Sequence, residues 1–313
     1  MRIAFMGTPA FAVASLERLV RDGHEICGVF TQPDKPKNRG MKLTFSPVKE
    51  YALSQGLPVY QPERMRGEEA LSLLRSLEPE LTVVAAYGQI LPEEILNVPR
   101  LGSVNVHASL LPKYRGAAPI NWAILNGEQE TGVTIMYMAK KLDAGDMILS
   151  RSTPIDPAED AEALYARLAQ IGADALGEAI LLLSAGTAPR TAQHDALSTY
   201  APMLSRALSP IDWNKSAQSI VNQVRGLVPW PCASTMLDGK VLKIYSAEIL
   251  EHSIGAPGTM RAAKRGIECA CGDGKGVLLT MVQAEGGKRM PAAAYLNGRR
   301  IAAGTLLAGG KES

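Results

Sequence analysis

From Arg2 to Ser184, strand signals and helix signals take turns along the chain, and this alternation constrains the fold more than any other feature. "RIAFM" (2–6) is a short apolar run, and "PAFAVASLERLVRDG" (9–23) follows it with helical spacing and a closing glycine. The order then repeats. "ICGVF" (26–30) reads as a strand, 47–56 as a helix, 57–61 as a short strand and 68–76 as a helix. "LTVVAA" (81–86), 103–107, 132–138 and 147–155 read as strands, 119–127 as a helix and 160–184 as a long helix. A helix between two strands returns the chain to the edge it left, so the strands become mostly parallel. The expected fold class is α/β, a mostly parallel sheet with helices on both faces. Such sheets bind ligands beyond the carboxyl ends of their strands.

The pattern stops near residue 186. Residues 188–207 are rich in Ala, Thr, Ser and Pro without a period and read as a linker between a domain over 1–187 and another over 208–313. Beyond 208, helical spacing survives only in "SAQSIVNQVRGL" (216–227). Short strand-like runs are split there by "DGK", "GDGKG" and "GG", which suit hairpin turns, and a small β-barrel is expected. The charge is uneven too. The net charge of the 313 residues is +2, yet residues 208–313 hold 13 Lys and Arg against 8 Asp and Glu. A basic C-terminal third suits a polyanionic partner.

Composition removes several classes. The four cysteines, Cys27, Cys232, Cys269 and Cys271, form no C-x-x-C and have no histidine cluster near them, so neither a zinc site nor a disulfide framework is expected. No apolar run approaches the length of a membrane span, and the first residues enter a strand directly rather than a signal peptide. A monomeric cytoplasmic protein without membrane contact is expected.

Within "SVNVHASLLPKYRG" (103–116), Val104 and Val106 alternate as in a buried strand, but Asn105 and His107 occupy the positions beside them. Residues two apart on a strand share a face. Both sit at the carboxyl end, where an α/β sheet places its sites. Two buried polar side chains need partners or cost about 1–3 kcal/mol each. A carbonyl that becomes an oxyanion during reaction is one such partner. Asp143 and Asp146 both lie in the glycine-containing turn "KKLDAGDMI", and spacing does not decide which of them faces His107. "QPDKPKNRGMKLTFSPVKE" (32–50) is long for a strand-to-helix connection and reads as an extended, exposed insertion. Residues 33–49 carry Lys35, Lys37, Arg39, Lys42 and Lys49 against Asp34 alone, which suits a phosphate backbone. "FMGTPAFA" has one glycine after the first strand and lacks the dinucleotide fingerprint, so a tight turn is the better reading.

These segments together resemble the methionyl-tRNA formyltransferase family. The resemblance runs through "MRIAFMGTPAFAV", "QPDKPKNRG", "AAYGQILP", "NVHASLLPKYRGAAPINWAILNGEQETGVTIM", "LDAGDM" and "VRGLVPWPCAST". It implies a Rossmann-like formyltransferase sheet followed by an OB-like barrel that binds tRNA. It implies 10-formyltetrahydrofolate as co-substrate, no metal, and the α-amino group of methionine on initiator tRNA as acceptor. By motif, Asn105, His107 and Asp143 match the family's catalytic trio. Ser109, Leu110, Leu111 and Pro112 match its folate-binding segment, and Tyr87, Gly88, Gln89, Ile90 and Leu91 the loop beside the pterin. Arg39, with Lys35, Lys37 and Lys42 around it, matches the loop that meets tRNA. Met41 stands where the family usually has lysine. The chemistry agrees with the residues: acyl transfer to an amine needs oxyanion donors, here Asn105 and protonated His107, and a proton route, but no covalent nucleophile.

Other readings stay open at this point. A glycinamide ribonucleotide formyltransferase would end near 200 residues. A formyltransferase for a nucleotide-linked amino sugar has similar length. A tRNA-binding factor with a dead catalytic domain would not need Asn105 and His107 at a strand end.

Overall fold

The computed structural model describes residues 1–37, 42–297, 302 and 304–307. In chain order its elements begin with β1 (Arg2–Gly7), α1 (Ala10–Arg21), β2 (Glu25–Phe30), β3 (Lys35–Lys37), β4 (Lys42–Thr44), α2 (Pro47–Ser54) and β5 (Val59–Tyr60). They continue with α3 (Gly67–Ser76), β6 (Leu81–Ala85), α4 (Glu93–Leu96), β7 (Ser103–His107), β8 (Arg115–Gly116) and α5 (Pro119–Leu125). Next come β9 (Glu130–Tyr137), β10 (Met147–Pro154), α6 (Ala161–Ser184), β11 (Tyr200–Ala201) and α7 (Ala217–Gly226). The last are β12 (Ala233–Leu237), β13 (Lys240–Leu250), β14 (Met260–Ala263), β15 (Gly266–Ala270), β16 (Gly276–Ala284), β17 (Met290–Pro291) and α8 (Ala292–Leu296).

Two compact units emerge, and both are discontinuous in sequence. The first comprises residues 1–119, 130–154 and 165–201, the second 120–129, 155–164 and 202–313. Residues 188–201, read from sequence as linker, thus fold with the first unit.

The first unit is built on a seven-stranded sheet in the order β10-β9-β7-β6-β1-β2-β5. The pairs β1–β2, β1–β6, β2–β5 and β6–β7 are parallel, while β9 and β10 close one edge antiparallel. Central strands of such a sheet are dry on both sides, and β6 and β7 are buried at every residue. Ala4, Met6 and Val84 on one face pack with Ala70, Leu71 and Leu74 of α3 and Ile95 and Leu96 of α4. On the other face α1 and α6 meet through the edge-on Phe11 and Tyr165 rings, and Gly172 of α6 lets Val106 and Val133 approach. Local chemistry sets the element ends. Ser46 caps α2 by accepting from the Lys49 backbone N–H at 3.1 Å, with Pro47 at the first helical position. Gly7 ends β1 because a Cβ there would lie 2.7 Å from that of Ala12 and 3.0 Å from the Ala85 carbonyl. The "FMGTP" stretch is a tight strand-to-helix turn, as expected.

The 32–50 connection contains the antiparallel pair β3–β4, with Lys35 opposite Thr44 and Lys37 opposite Lys42. With Lys35 and Lys37 in β3 and Lys42 in β4, neither three-residue strand offers an apolar period to read.

The second unit carries an antiparallel sheet in the order β12-β13-β16-β15-β14, with β17 added on β16. It wraps a single core of Ile220 and Val224 from α7 with Leu242, Ile244, Ile267, Val277 and Leu279, as a small barrel does. The DG signal holds: Asp238 and Gly239, at φ 51° and 72°, join β12 to β13 in a two-residue hairpin.

Candidate active site

β6 and β7 run parallel side by side, so the segments leaving their carboxyl ends emerge at one edge of the sheet. Those segments are 86–91 and 108–116. Together they hold every residue matched to folate binding.

Asn105 pairs with Val84 on one side and Met136 on the other, and so faces the side of α3 and α4. It is 8% exposed. His107 shares that face and is 6% exposed. Its Nε2 lies 2.9 Å from the Tyr114 carbonyl oxygen. A carbonyl only accepts, so Nε2 carries the hydrogen and donates. Nδ1 lies 3.7 Å from Asp143 Oδ2. This qualifies the expectation of His107 as a free oxyanion donor: one nitrogen is already engaged, and Nδ1 is the one left for chemistry.

The two aspartates of the turn have different surroundings. Asp143 has a side chain only 10% exposed and accepts a hydrogen bond from the Gly116 N–H at 2.8 Å. Asp146 is 39% exposed and lies 3.8 Å from Arg190. Asp143 adopts a left-handed φ of 49°, and a Cβ on Gly145 would sit 1.9 Å from the Tyr137 carbonyl. That close approach requires glycine and turns the loop back toward His107.

The folate-matched residues divide by role. Ser109 is fully buried, and its hydroxyl donates to the Lys113 carbonyl at 2.7 Å, so it shapes the loop from within. The Ser109 carbonyl accepts from Thr134 Oγ1 at 2.7 Å, and the Leu111 N–H donates to the same hydroxyl at 3.2 Å. Leu110 and Pro112 are half-buried and Leu111 is buried. In the other segment, Gln89 takes the Met65 N–H and donates to the Pro62 carbonyl, while the Tyr87 carbonyl accepts from Thr8 and Gln32. Leu91 is buried, Gly88 is exposed at φ 85°, and Ile90 is 88% exposed. The Tyr87 hydroxyl is buried without a partner, and burial pushes its pKa up to about 12.

Of the cations matched to tRNA, Lys35, Lys37 and Lys42 lie on the β3–β4 hairpin and Arg39 lies outside the described residues. Lys49, counted from sequence among the basic charges of that stretch, binds Asp34 and, at 2.7 Å, Gln61 through its ammonium, and stands over the Phe45 ring. Sequence reasoning missed the Tyr114 carbonyl, the Gly116 N–H and Gln193, all of which touch the Asn105–His107–Asp143 region. Only Gly116, in "YRG", left a trace in the sequence. No group of three His, Cys, Asp or Glu that could hold a metal occurs among the described residues.

Most of the chain has counterparts among known proteins. The formyl transferase family model matches residues 1–180, and the model of the formyl transferase C-terminal domain matches 203–300. A methionyl-tRNA formyltransferase of Geotalea uraniireducens is 50% identical over 98% of this chain and 98% of that one. Another, of Caldanaerobacter subterraneus subsp. tengcongensis, is 50% identical over 98% and 100%. A crystal structure of WlaRD, a sugar 3N-formyl transferase, shares the fold at a TM-score of 0.68 and 20% identity, covering 91% and 97%. With relatives half identical to it over 98% of its residues, the chain belongs to the methionyl-tRNA formyltransferase family.

Proposed function

We infer that the chain transfers the formyl group of 10-formyltetrahydrofolate to the α-amino group of methionine on initiator methionyl-tRNA. The observation that carries the reading is that the Asn105 carboxamide and the His107 imidazole share one nearly dry strand face at the carboxyl end of β7. Polar side chains held in so dry a place are positioned to bond a polar group that a ligand brings there. An oxyanion formed from the formyl oxygen is such a group. The co-substrate supplies a formyl group on nitrogen; segments 87–91 and 109–112 are the residues that would hold it.

Asn105 donates to the developing oxyanion. His107, fixed through Nε2 by the Tyr114 carbonyl, presents Nδ1 beside the Asp143 carboxylate. This pair takes up the proton the amine loses as its nitrogen bonds to the formyl carbon. A proton returns to the folate nitrogen as the old carbon–nitrogen bond breaks. The Gly116 N–H keeps the carboxylate in place meanwhile. Catalysis is assigned to residues 1–187 and tRNA binding to the 208–313 domain, with Lys35, Lys37, Arg39 and Lys42 meeting the acceptor end. The enzyme acts in the cytoplasm.

The test mixes purified protein, 10-formyltetrahydrofolate and, in separate arms, charged initiator tRNA, charged elongator tRNA and a UDP-linked amino sugar. The initiator arm alone should be formylated. Asn105→Ala should lower turnover there about 10²–10³-fold while tRNA binding persists. Formylation of the sugar instead, or normal turnover of the variant, rejects the reading.

A further inference from the structure

Residues 190–201 lie across both loops that carry the catalytic groups. Thr191 forms an antiparallel bridge with Met147, with N···O distances of 2.8 and 3.0 Å, just beyond the Asp143 turn. Thr199 accepts the Tyr114 N–H on its hydroxyl at 2.8 Å and the Arg115 N–H on its carbonyl at 2.9 Å. β11 then pairs with β8 in parallel, Tyr200 beside Arg115 and Ala201 beside Gly116. The segment therefore holds the backbone of Tyr114, whose carbonyl fixes His107, and of Gly116, whose N–H fixes Asp143.

Gln193 joins the two loops through one side chain. Its Nε2 donates to the Asp143 carbonyl at 2.9 Å and to the Gly145 carbonyl at 2.8 Å. Its Oε1 accepts from Arg115 Nε at 3.1 Å and Nη2 at 2.7 Å. Arg115 is 6% exposed and also reaches Asp195 at 2.8 Å. A primary amide offers two donor hydrogens and an acceptor oxygen, and all are in use. No other uncharged side chain of that length could donate to two carbonyls and accept from a guanidinium at once.

We propose that Gln193 is a positioning residue for the transfer reaction, setting the separation of Asp143 from His107 by clamping the 143–145 turn to the Arg115 strand. The inference rests on the assignment of Asp143 and His107 to the proton route. It does not make Gln193 touch substrate. Misplacing a reacting group by about 1 Å can lower a rate about 10²-fold. Weak clamping should therefore appear in kcat rather than in binding.

The experiment compares Gln193→Glu, Leu197→Ser and Asp143→Asn with the parent enzyme, measuring kcat, KM for both substrates and the thermal midpoint. Gln193→Glu keeps size and the acceptor for Arg115 but turns a carboxylate oxygen toward two carbonyls. It should lower kcat about 10- to 100-fold, with both KM values within about twofold and the folded fraction unchanged. Leu197 is exposed on the same segment, so its replacement should leave kcat within about twofold. A Gln193→Glu enzyme with normal kcat, or one whose kcat falls only as its folded fraction falls, overturns the proposal. Because the same variant could misfold, Gln193→Met is a second probe: it packs similarly without donors and should show the same kcat loss, and full activity there overturns the proposal too. If Asp143→Asn keeps parental turnover, the site assignment itself fails, and that result is distinct from a failure confined to Gln193.

Discussion

The two sheets of this chain treat polar side chains in opposite ways. In the first unit β6 and β7 are buried at all five residues and β1 and β2 at five of six, because helices cover both faces. In the second unit β12 alternates buried with half-buried residues, and β13 keeps only Leu242 and Ile244 fully inside. A polar side chain on β13, such as the exposed Lys243, meets water and says nothing. On β7 it meets hydrocarbon, so Asn105 and His107 stand out. The lesson is that a residue's diagnostic value depends on how dry its surroundings are: an exposed charge on the second sheet says little by itself, whereas a buried polar side chain on the first calls for a partner.

The largest effect that could break this contrast is on catalysis. His107→Ala should lower turnover about 10²–10³-fold, as expected of a group engaged in the transition state, while Lys243→Thr should change kcat by less than about twofold. The double variant Asn105→Ala/His107→Ala should lose much less than the product of the single losses, because the two act on one transition state. Single-turnover rates with bound substrates measure this. Strictly multiplicative losses would mean that the two residues work independently and that their shared face is incidental.

Much of the first unit was legible in the sequence for the same reason. Continuous apolar runs such as "LTVVAA" coincide with dry strands, and helical spacing marked α1, α3 and α6. The polar pair on β7 was visible because it interrupted such a run. Asp143 could not be told from Asp146, since the difference lies in the left-handed turn at Asp143 and the hydrogen bond from Gly116, both set by distant segments. The 190–201 segment was read as linker because its long-range bonds run to residues 44 to 85 positions away and leave no local period. β3–β4 was hidden by its charges, and α4 is too short to show a helical repeat.

A smaller effect sharpens the meaning of an unpaired polar group. Thr82 on β6 lies beside Ser103 of β7, is 1% exposed, and its hydroxyl has no partner. It shares a sheet face with Asn105, yet sits two residues further from the carboxyl end. Thr82→Val should therefore stabilise the fold by about 1–2 kcal/mol without lowering kcat, since it removes a buried unsatisfied hydroxyl at nearly constant shape. Urea unfolding midpoints at constant slope measure it. If Thr82→Val instead reduced turnover as Asn105→Ala does, position along the strand would not distinguish a structural defect from a working group.

The smallest effect concerns a pair between the two regimes. Lys49 and Asp34 have side chains 13% and 18% exposed, neither dry like β7 nor wet like Lys243. The hydrogen bond from Lys49 holds the Asp34 carboxyl below the usual carboxylate range, against the opposing effect of burial and with help from Gln61 at 2.9 Å. A folded-state pKa below the unfolded one stabilises the fold at pH above about 4. That contribution disappears as the pH falls through the depressed folded value. Asp34→Asn should thus lower stability at neutral pH by less than about 1 kcal/mol and flatten the acid limb of the stability curve below pH about 4. Equilibrium unfolding from pH 7 to 2 reads both. An unchanged acid limb would place the pair with the solvated charges of the second unit, and a loss of several kcal/mol would place it with the buried strands of the first.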